Sequence, residues 1–199
     1  MDNYPNNPAN THYEIHDLIR HRWSPRMFSN KEVTKDELNS LFEAARWAAS
    51  SNNLQPWRFM YAYKGSKTYD KMYDCLAEFN QGWIVHAPVL IFTAIKENNP
   101  DGNKNFHALH DLGLAMGNLS IQAQAMDIAV HQMAGLDWKK AEKVFDVPEG
   151  YHIVSAVSIG HYGGDVEDLK EKYQDGEVED RSRKAHNEIV KENAWPEWE

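Results

Sequence analysis

The hydrophobic positions of this chain follow two periods, one helical and one extended. Ile15, Leu18 and Ile19 recur at helical spacing and predict a first helix from about His12 to His21. Leu38, Leu41, Phe42, Ala45 and Ala48 repeat the pattern after Thr34-Lys35-Asp36-Glu37, a tetrapeptide of capping-box form. Ser50-Ser51-Asn52-Asn53 favours turns and ends that helix. Arg58–Tyr63 reads as a strand closed by Lys64-Gly65, and one helix is expected from about Ser66 to Phe79. Val89-Leu90-Ile91-Phe92-Thr93-Ala94-Ile95 has the character of a strand buried on both faces.

The longest helix should cover about Asn105–Met126. Leu109, Leu112, Met116, Leu119 and Ala123 form its apolar stripe, and Gly113, Ala115 and Gly117 permit close packing. Ile128–Gln132 and Tyr151–Gly160 are further strands, with Asp137 capping a helix to about Val144. Beyond Gly163-Gly164 the chain is charged and poor in apolar residues. That extension, from about residue 165, is expected to bury little against its own subunit. It ends in Trp195-Pro196-Glu197-Trp198, whose rings would be odd if simply solvated. Residues 1–11, rich in Asn and Pro, are expected to be flexible. No repeat or linker divides the rest, so residues 12–199 are expected to form a single domain with a C-terminal extension.

Composition narrows the function. The 199 residues suffice for one sizeable core. A net charge of −9 disfavours nucleic acid as principal partner. No apolar run reaches the length of a membrane span, and the N-terminus lacks a signal-peptide core, so a cytoplasmic location is expected. The lone cysteine, Cys75, permits neither a disulfide framework nor a cysteine-rich metal site.

Against this acidic background Arg22-Trp23-Ser24-Pro25-Arg26 stands out. Pro25 disfavours helix at Ser24, and alternate side chains of an extended segment share one face about 6.6 Å apart. Two guanidinium forks and a hydroxyl on that face suit a phosphate monoester, although a solvated arginine pair has the same sequence. His107 and His110, like His12 and His16, have spacings a metal could use, but no third ligand accompanies either pair, and no metal is expected. Gly160-His161-Tyr162-Gly163-Gly164 opens no helix of the kind that binds dinucleotides.

Taken in order, the motifs resemble the nitroreductase family of FMN-dependent oxidoreductases. Arg22-Trp23-Ser24-Pro25-Arg26 is similar to its phosphate motif, and Ser50-Ser51-Asn52-Asn53-Leu54-Gln55-Pro56-Trp57 to the segment that reaches the partner subunit's flavin. Gln132-Met133-Ala134-Gly135 resembles a loop whose amides face the flavin. Gly160-His161-Tyr162 sits at the end of the last core strand, and Arg181-Ser182-Arg183 resembles the C-terminal basic pair.

The resemblance implies an α+β, three-layer fold with a mostly antiparallel central sheet between helices and a C-terminal extension wrapping the partner of a homodimer. It implies FMN at the subunit interface, held by Arg22, Trp23, Ser24, Arg26, Ser50, Ser51, Asn53, Gln55, Asn80, Met133, Ala134, Gly135, Arg181 and Arg183. Arg22, Arg26 and Arg183 would bind the phosphate with Ser24. Asn53 and Asn80 would meet the pyrimidine edge or ribityl chain. The Ala134 and Gly135 amides and Arg181 would lie near the flavin ring. Trp83, Phe106 and His107 are candidates to line the acceptor pocket. The implied activity is NAD(P)H-dependent reduction of nitroaromatics, quinones or similar electron-poor acceptors by a ping-pong cycle that needs no catalytic side chain. Reductive dehalogenation, ene reduction and flavin binding without turnover remain open alternatives.

Overall fold

The computed structural model describes residues 6–196. The start of the 1–11 segment, the last three residues of the 12–199 domain and the Trp198 ring fall outside them. Strands β1 (Trp57–Tyr63), β2 (Val89–Lys96), β3 (Ile128–Met133) and β4 (Tyr151–His161) form one sheet in the order β1-β2-β4-β3. All neighbouring pairs are antiparallel. The helices are α1 (Asp17–His21), α2 (Lys35–Arg46), α3 (Lys67–Tyr73), α4 (Glu78–Ile84), α5 (Ala108–Ala125), α6 (Trp138–Val144), α7 (Glu171–Val178) and α8 (His186–Ile189).

The layering follows from strand alternation. Val89, Ile91 and Ile95 of β2 pack with Leu38 and Leu41 of α2 and with Leu112, Met116 and Leu119 of α5. Leu90 and Phe92 face the other way, onto Met72 of α3, Trp83 of α4, Ala141 of α6 and Tyr173 of α7. Val89, Leu90, Ile91 and Phe92 are thus buried in succession. Each contributes roughly 1.5–3 kcal/mol of hydrophobic stabilisation. The architecture is α+β, a four-stranded antiparallel sheet between two helical layers, as the resemblance implies.

Local signals hold where the chain decides locally. The Thr34 hydroxyl accepts from the Glu37 N–H at 3.2 Å, and the Thr34 N–H donates back to Glu37 Oε2 at 2.8 Å. Asp137 caps α6 through the Lys140 N–H at 2.9 Å.

Four expectations change. The first helix shrinks to α1, because the His16 ring caps it by accepting from the Leu18 N–H. The single helix expected over 66–79 is two, α3 and α4. Between them Leu76 bridges Leu136, Ala77 N–H donates to the Gly135 carbonyl at 2.9 Å, and Asp137 N–H donates to the Cys75 carbonyl at 2.8 Å. On α5 the buried apolar positions are Ala108, Leu112, Ala115, Met116, Leu119 and Ala123, while Leu109 is turned outward. The C-terminal extension does bury residues in its own protomer: Leu169, Tyr173 and Glu177 sit four apart and are all enclosed. Tyr173 donates its hydroxyl to the Phe79 carbonyl at 2.8 Å and seats α7 on α4.

The N-terminal segment is tied down where it is described. Ala9 N–H donates to the Arg20 carbonyl, and the Asn7 amide donates to the Glu179 carbonyl, both at 2.8 Å.

Candidate functional site

Arg22 and Ser24 leave the end of α1 and line a cleft of about 240 Å³, together with Trp23, Arg181 and Arg183 and the acidic residues Glu179 and Asp180. The Arg22 guanidinium donates to the Ser24 hydroxyl at 3.4 Å. Trp23 is buried and forms part of the wall. Arg181 is fixed by donating to the carbonyls of Asn7 at 2.9 Å and Arg20 at 3.1 Å. Burial, then the like charges of Arg22 and Arg183, push the Arg181 pKa down. Like-charge crowding of this kind favours an anionic ligand. Three guanidiniums and a hydroxyl match the donors a phosphate monoester needs. Tyr162 lies beside the cleft with its hydroxyl donating to Gln124 Oε1 at 2.7 Å. Burial raises its pKa, while the Trp23 backbone and the charges of Arg22 and Arg181 oppose that.

Arg181, expected near a flavin ring, lines this cleft with Arg22 and Arg183. Arg26 was expected in the cleft and is turned to Glu177, with its guanidinium 3.5 Å from Oε1. The shared face predicted for Arg22, Ser24 and Arg26 therefore holds for the first two only. Gly176 allows this, since a Cβ there would lie 2.6 Å from Arg26 Nη1. Beneath the loop, His131 Nδ1 is 2.9 Å from the Pro25 carbonyl. A carbonyl only accepts, so Nδ1 carries the proton. The ring packs on Trp83 at 4.6 Å, and burial pushes its pKa down to about 4. Trp83 is fully buried and belongs to the core.

The second candidate wall is the turn after α2. Ser51–Asn53 forms a 3₁₀ turn, and Asn52, Asn53 and Gln55 have φ of 49°, 55° and 47°. Three non-glycine residues in the left-handed region within four positions are a concentration of strain. The surroundings enforce it. The Ser51 N–H donates to Asp111 Oδ2 at 3.1 Å, and Asp111, on the first turn of α5, is buried. The Gln55 N–H donates to the Ser50 hydroxyl at 3.1 Å, and the Gln55 amide donates to Asn53. Ser51 and Asn52 line a separate cleft of about 450 Å³ with Lys104, Phe106 and His107. Phe106 is 87% exposed, which places an aromatic ring at its mouth.

The Gln132–Gly135 segment lies at the end of β3. Met133 is core filler, whereas Ala134 is exposed. The Asn80 side-chain amide donates to the Gly135 carbonyl at 2.9 Å. A Cβ at Gly135 would lie 2.6 Å from that nitrogen, so glycine is required for the contact. Asn80 therefore shapes this loop, with Oδ1 left to accept.

The family model that describes the nitroreductase family matches residues 19–81 and 70–161. The chain belongs to the nitroreductase family. Relatives agree. A major NAD(P)H-flavin oxidoreductase of Aliivibrio fischeri is 37% identical over 71 residues, 36% of this chain and 32% of its own length. The match thus spans about a third of that relative. Protein DrgA of Synechocystis is 27% identical over 177 residues, covering 72% of this chain and 82% of its own. A solved structure described as an oxidoreductase containing FMN superimposes with a TM-score of 0.88 at 29% identity, covering 94% and 96% of the two chains. A nitroreductase family protein of Clostridium difficile shares the fold, with a TM-score of 0.69 at 18% identity over 89% and 97%.

Within this nitroreductase-family chain, the matched residues take in the 22–26 loop and the strained turn but stop before Arg181. Sequence reasoning overlooked Asp111 and Glu177. A buried aspartate on the first turn of an apolar helix, and a glutamate in line with Leu169 and Tyr173, are the signals that marked them. Among the described residues no helix is long and apolar enough to cross a membrane. Nor do three or more metal-ligating side chains come together there.

Proposed function

We propose that this protein is an NAD(P)H-dependent FMN oxidoreductase that reduces electron-poor acceptors such as nitroaromatics and quinones. The observation that carries the reading is the cleft where Arg22, Ser24, Arg181 and Arg183 converge: three guanidiniums outnumber the two carboxylates of Glu179 and Asp180 on its rim and leave a net positive site suited to an anion. The phosphate of FMN, with roughly −1.5 to −2 charge at neutral pH, answers that need. When bound, FMN supplies the hydride-carrying chemistry of both halves of a ping-pong cycle, reduction by NAD(P)H and reoxidation by the acceptor.

The chain's own residues then hold and shape. Arg22, Arg183 and Arg181 neutralise the phosphate, and Ser24 adds a neutral donor. Arg26, beside Phe79 and Glu177, is placed next to the cleft rather than in it. The Ala134–Gly135 backbone, held by Asn80, would offer its amides to the flavin. No side chain is assigned a proton-transfer role.

The second wall belongs to a second copy of the chain. Within one protomer the Ser51–Asn53 turn and the arginine cleft share no lining residue. The outer face of α5 is apolar and unpartnered: Leu109 is 58% exposed, and nothing lies within 4 Å of a Cβ built at Gly113 or Gly117. A homodimer packed on that face would bring Ser50, Ser51, Asn53 and Gln55 of one copy to the FMN of the other. The tail from the end of α8, with exposed Ile189, Val190 and Trp195, supports wrapping of the partner.

The test is a spectrum followed by a titration. The purified protein should show oxidised-flavin absorbance that NADPH or NADH bleaches under nitrogen and a quinone restores. A protein that takes up no FMN, or whose FMN neither nicotinamide reduces, removes the proposal.

A further inference from the structure

We propose that Glu177 is a positioning residue whose carboxylate assembles the phosphate cleft by joining the 22–26 loop to the C-terminal extension. The inference rests on the reading of that cleft as the FMN phosphate site.

Glu177 is 0% exposed, although it carries a carboxylate. Its Oε1 accepts from the backbone N–H of Arg26 at 2.8 Å and lies 3.5 Å from the Arg26 guanidinium. The Met27 backbone adds a second hydrogen bond that favours the ionised form, while burial opposes it. Oε2 and Arg26 Nε, both buried, have no hydrogen-bond partner. Burying a carboxylate this incompletely paired is costly for stability. What the arrangement achieves is placement.

The loop has no helix or strand of its own to fix it after Arg22. Glu177 grips its backbone from a residue 151 positions away. On the same side, the chain after Glu177 is stitched to the N-terminal segment through Glu179, Asn7 and Arg181. Arg181 and Arg183 follow Glu177 by four and six residues, so the anchor sets their position relative to Arg22 and Ser24. Tyr173, one helical turn earlier, and Gly176 hold α7 at the distance the contact requires.

The claim separates reach from charge. Glutamine keeps an oxygen where Oε1 accepts the Arg26 N–H, and it removes the charge. Aspartate keeps the charge and withdraws the oxygen by one methylene. FMN dissociation constants of the apoprotein are read by quenching of free-flavin fluorescence, with folding checked by circular dichroism. Wild type, Glu177→Ala, Glu177→Asp, Glu177→Gln and Arg183→Ala are compared. Glu177→Ala and Glu177→Asp should weaken FMN by about 10–100-fold, the effect of losing one to two strong hydrogen bonds to the anion. Glu177→Gln should stay within about threefold of wild type, since the backbone anchor survives.

A purely structural glutamate would lower the melting temperature of all three variants and leave the affinity of the folded protein unchanged, which overturns the proposal. An affinity kept by aspartate and lost by glutamine overturns it as well, assigning the effect to charge. If Arg183→Ala weakens FMN while every Glu177 variant binds as wild type, the cleft reading stands and the positioning role falls. If wild type itself binds no FMN, both fall.

Discussion

The two candidate walls of the site are built on opposite principles. The arginine cleft is assembled from segments far apart in the chain, by side chains that grip backbone groups over long separations: Glu177 on Arg26, Arg181 on Asn7 and Arg20, His131 on Pro25. The Ser50–Gln55 turn is assembled locally, by strain in three left-handed residues and a few bonds among neighbours, with one outside support from Asp111. The cleft is open, charged and dependent on its partners. The turn is stiff and would keep its shape with any ligand that visits it. The difference teaches that the cofactor anchor and the surface presented to a second subunit can fail separately.

The largest effect is expected from the cleft. Arg22→Ala removes a charge-assisted bond to phosphate, a loss of about 1.5–3 kcal/mol. FMN affinity should then fall by about 10–100-fold, with thermal stability of the apoprotein nearly unchanged. Equal affinity in a binding assay would make Arg22 a surface charge and erase the contrast.

Next comes pH. His131 is held neutral beneath the loop with its pKa lowered to about 4, whereas an unfolded histidine titrates near 6.5. Between those values the unfolded chain binds more protons than the folded one. Stability therefore rises with pH across that window and is lost as pH falls through it, by on the order of 1 kcal/mol per unit at the steepest. Urea unfolding of the apoprotein at a series of pH values measures the slope. His131→Asn should flatten it, and an unaltered slope would assign the titration to another group.

The smallest effect sharpens the other side. Asn52 is exposed and its φ is 49°. Asn52→Ala should cost about 1 kcal/mol by chemical denaturation, because alanine tolerates that backbone poorly. Asn52→Gly should be close to neutral, since glycine enters the left-handed region freely but also loosens the unfolded chain. If alanine and glycine behave alike, the turn stores no strain at that position.

The legibility of the sequence divides along the same line. β2, the Thr34 capping box and the Asp137 cap were readable because a few adjacent residues decide them. The break between α3 and α4 was not, because Leu76 and Ala77 answer to Leu136 and Gly135. Spacing correctly grouped Arg22 with Ser24 but misplaced Arg26. Nothing within five residues tells a guanidinium that Glu177 waits for it. Spacing did not group Arg181 with Arg22 for the same reason: its position is set by the carbonyls of Asn7 and Arg20, which carry no side-chain signal. The tail was read as core-poor because three buried residues in a charged stretch are too few to dominate a composition.

The separation of 151 residues between Arg26 and Glu177 also orders events in time. A ribosome delivers the 22–26 loop early and the residue that grips it near the end of synthesis. A nascent chain that has completed all four strands still lacks its anchor and two of its three cleft arginines. On the proposed reading of that cleft, loading of the cofactor falls to the last stage of the protein's birth, and a chain cut short before α7 would be a sheet with nothing to hold.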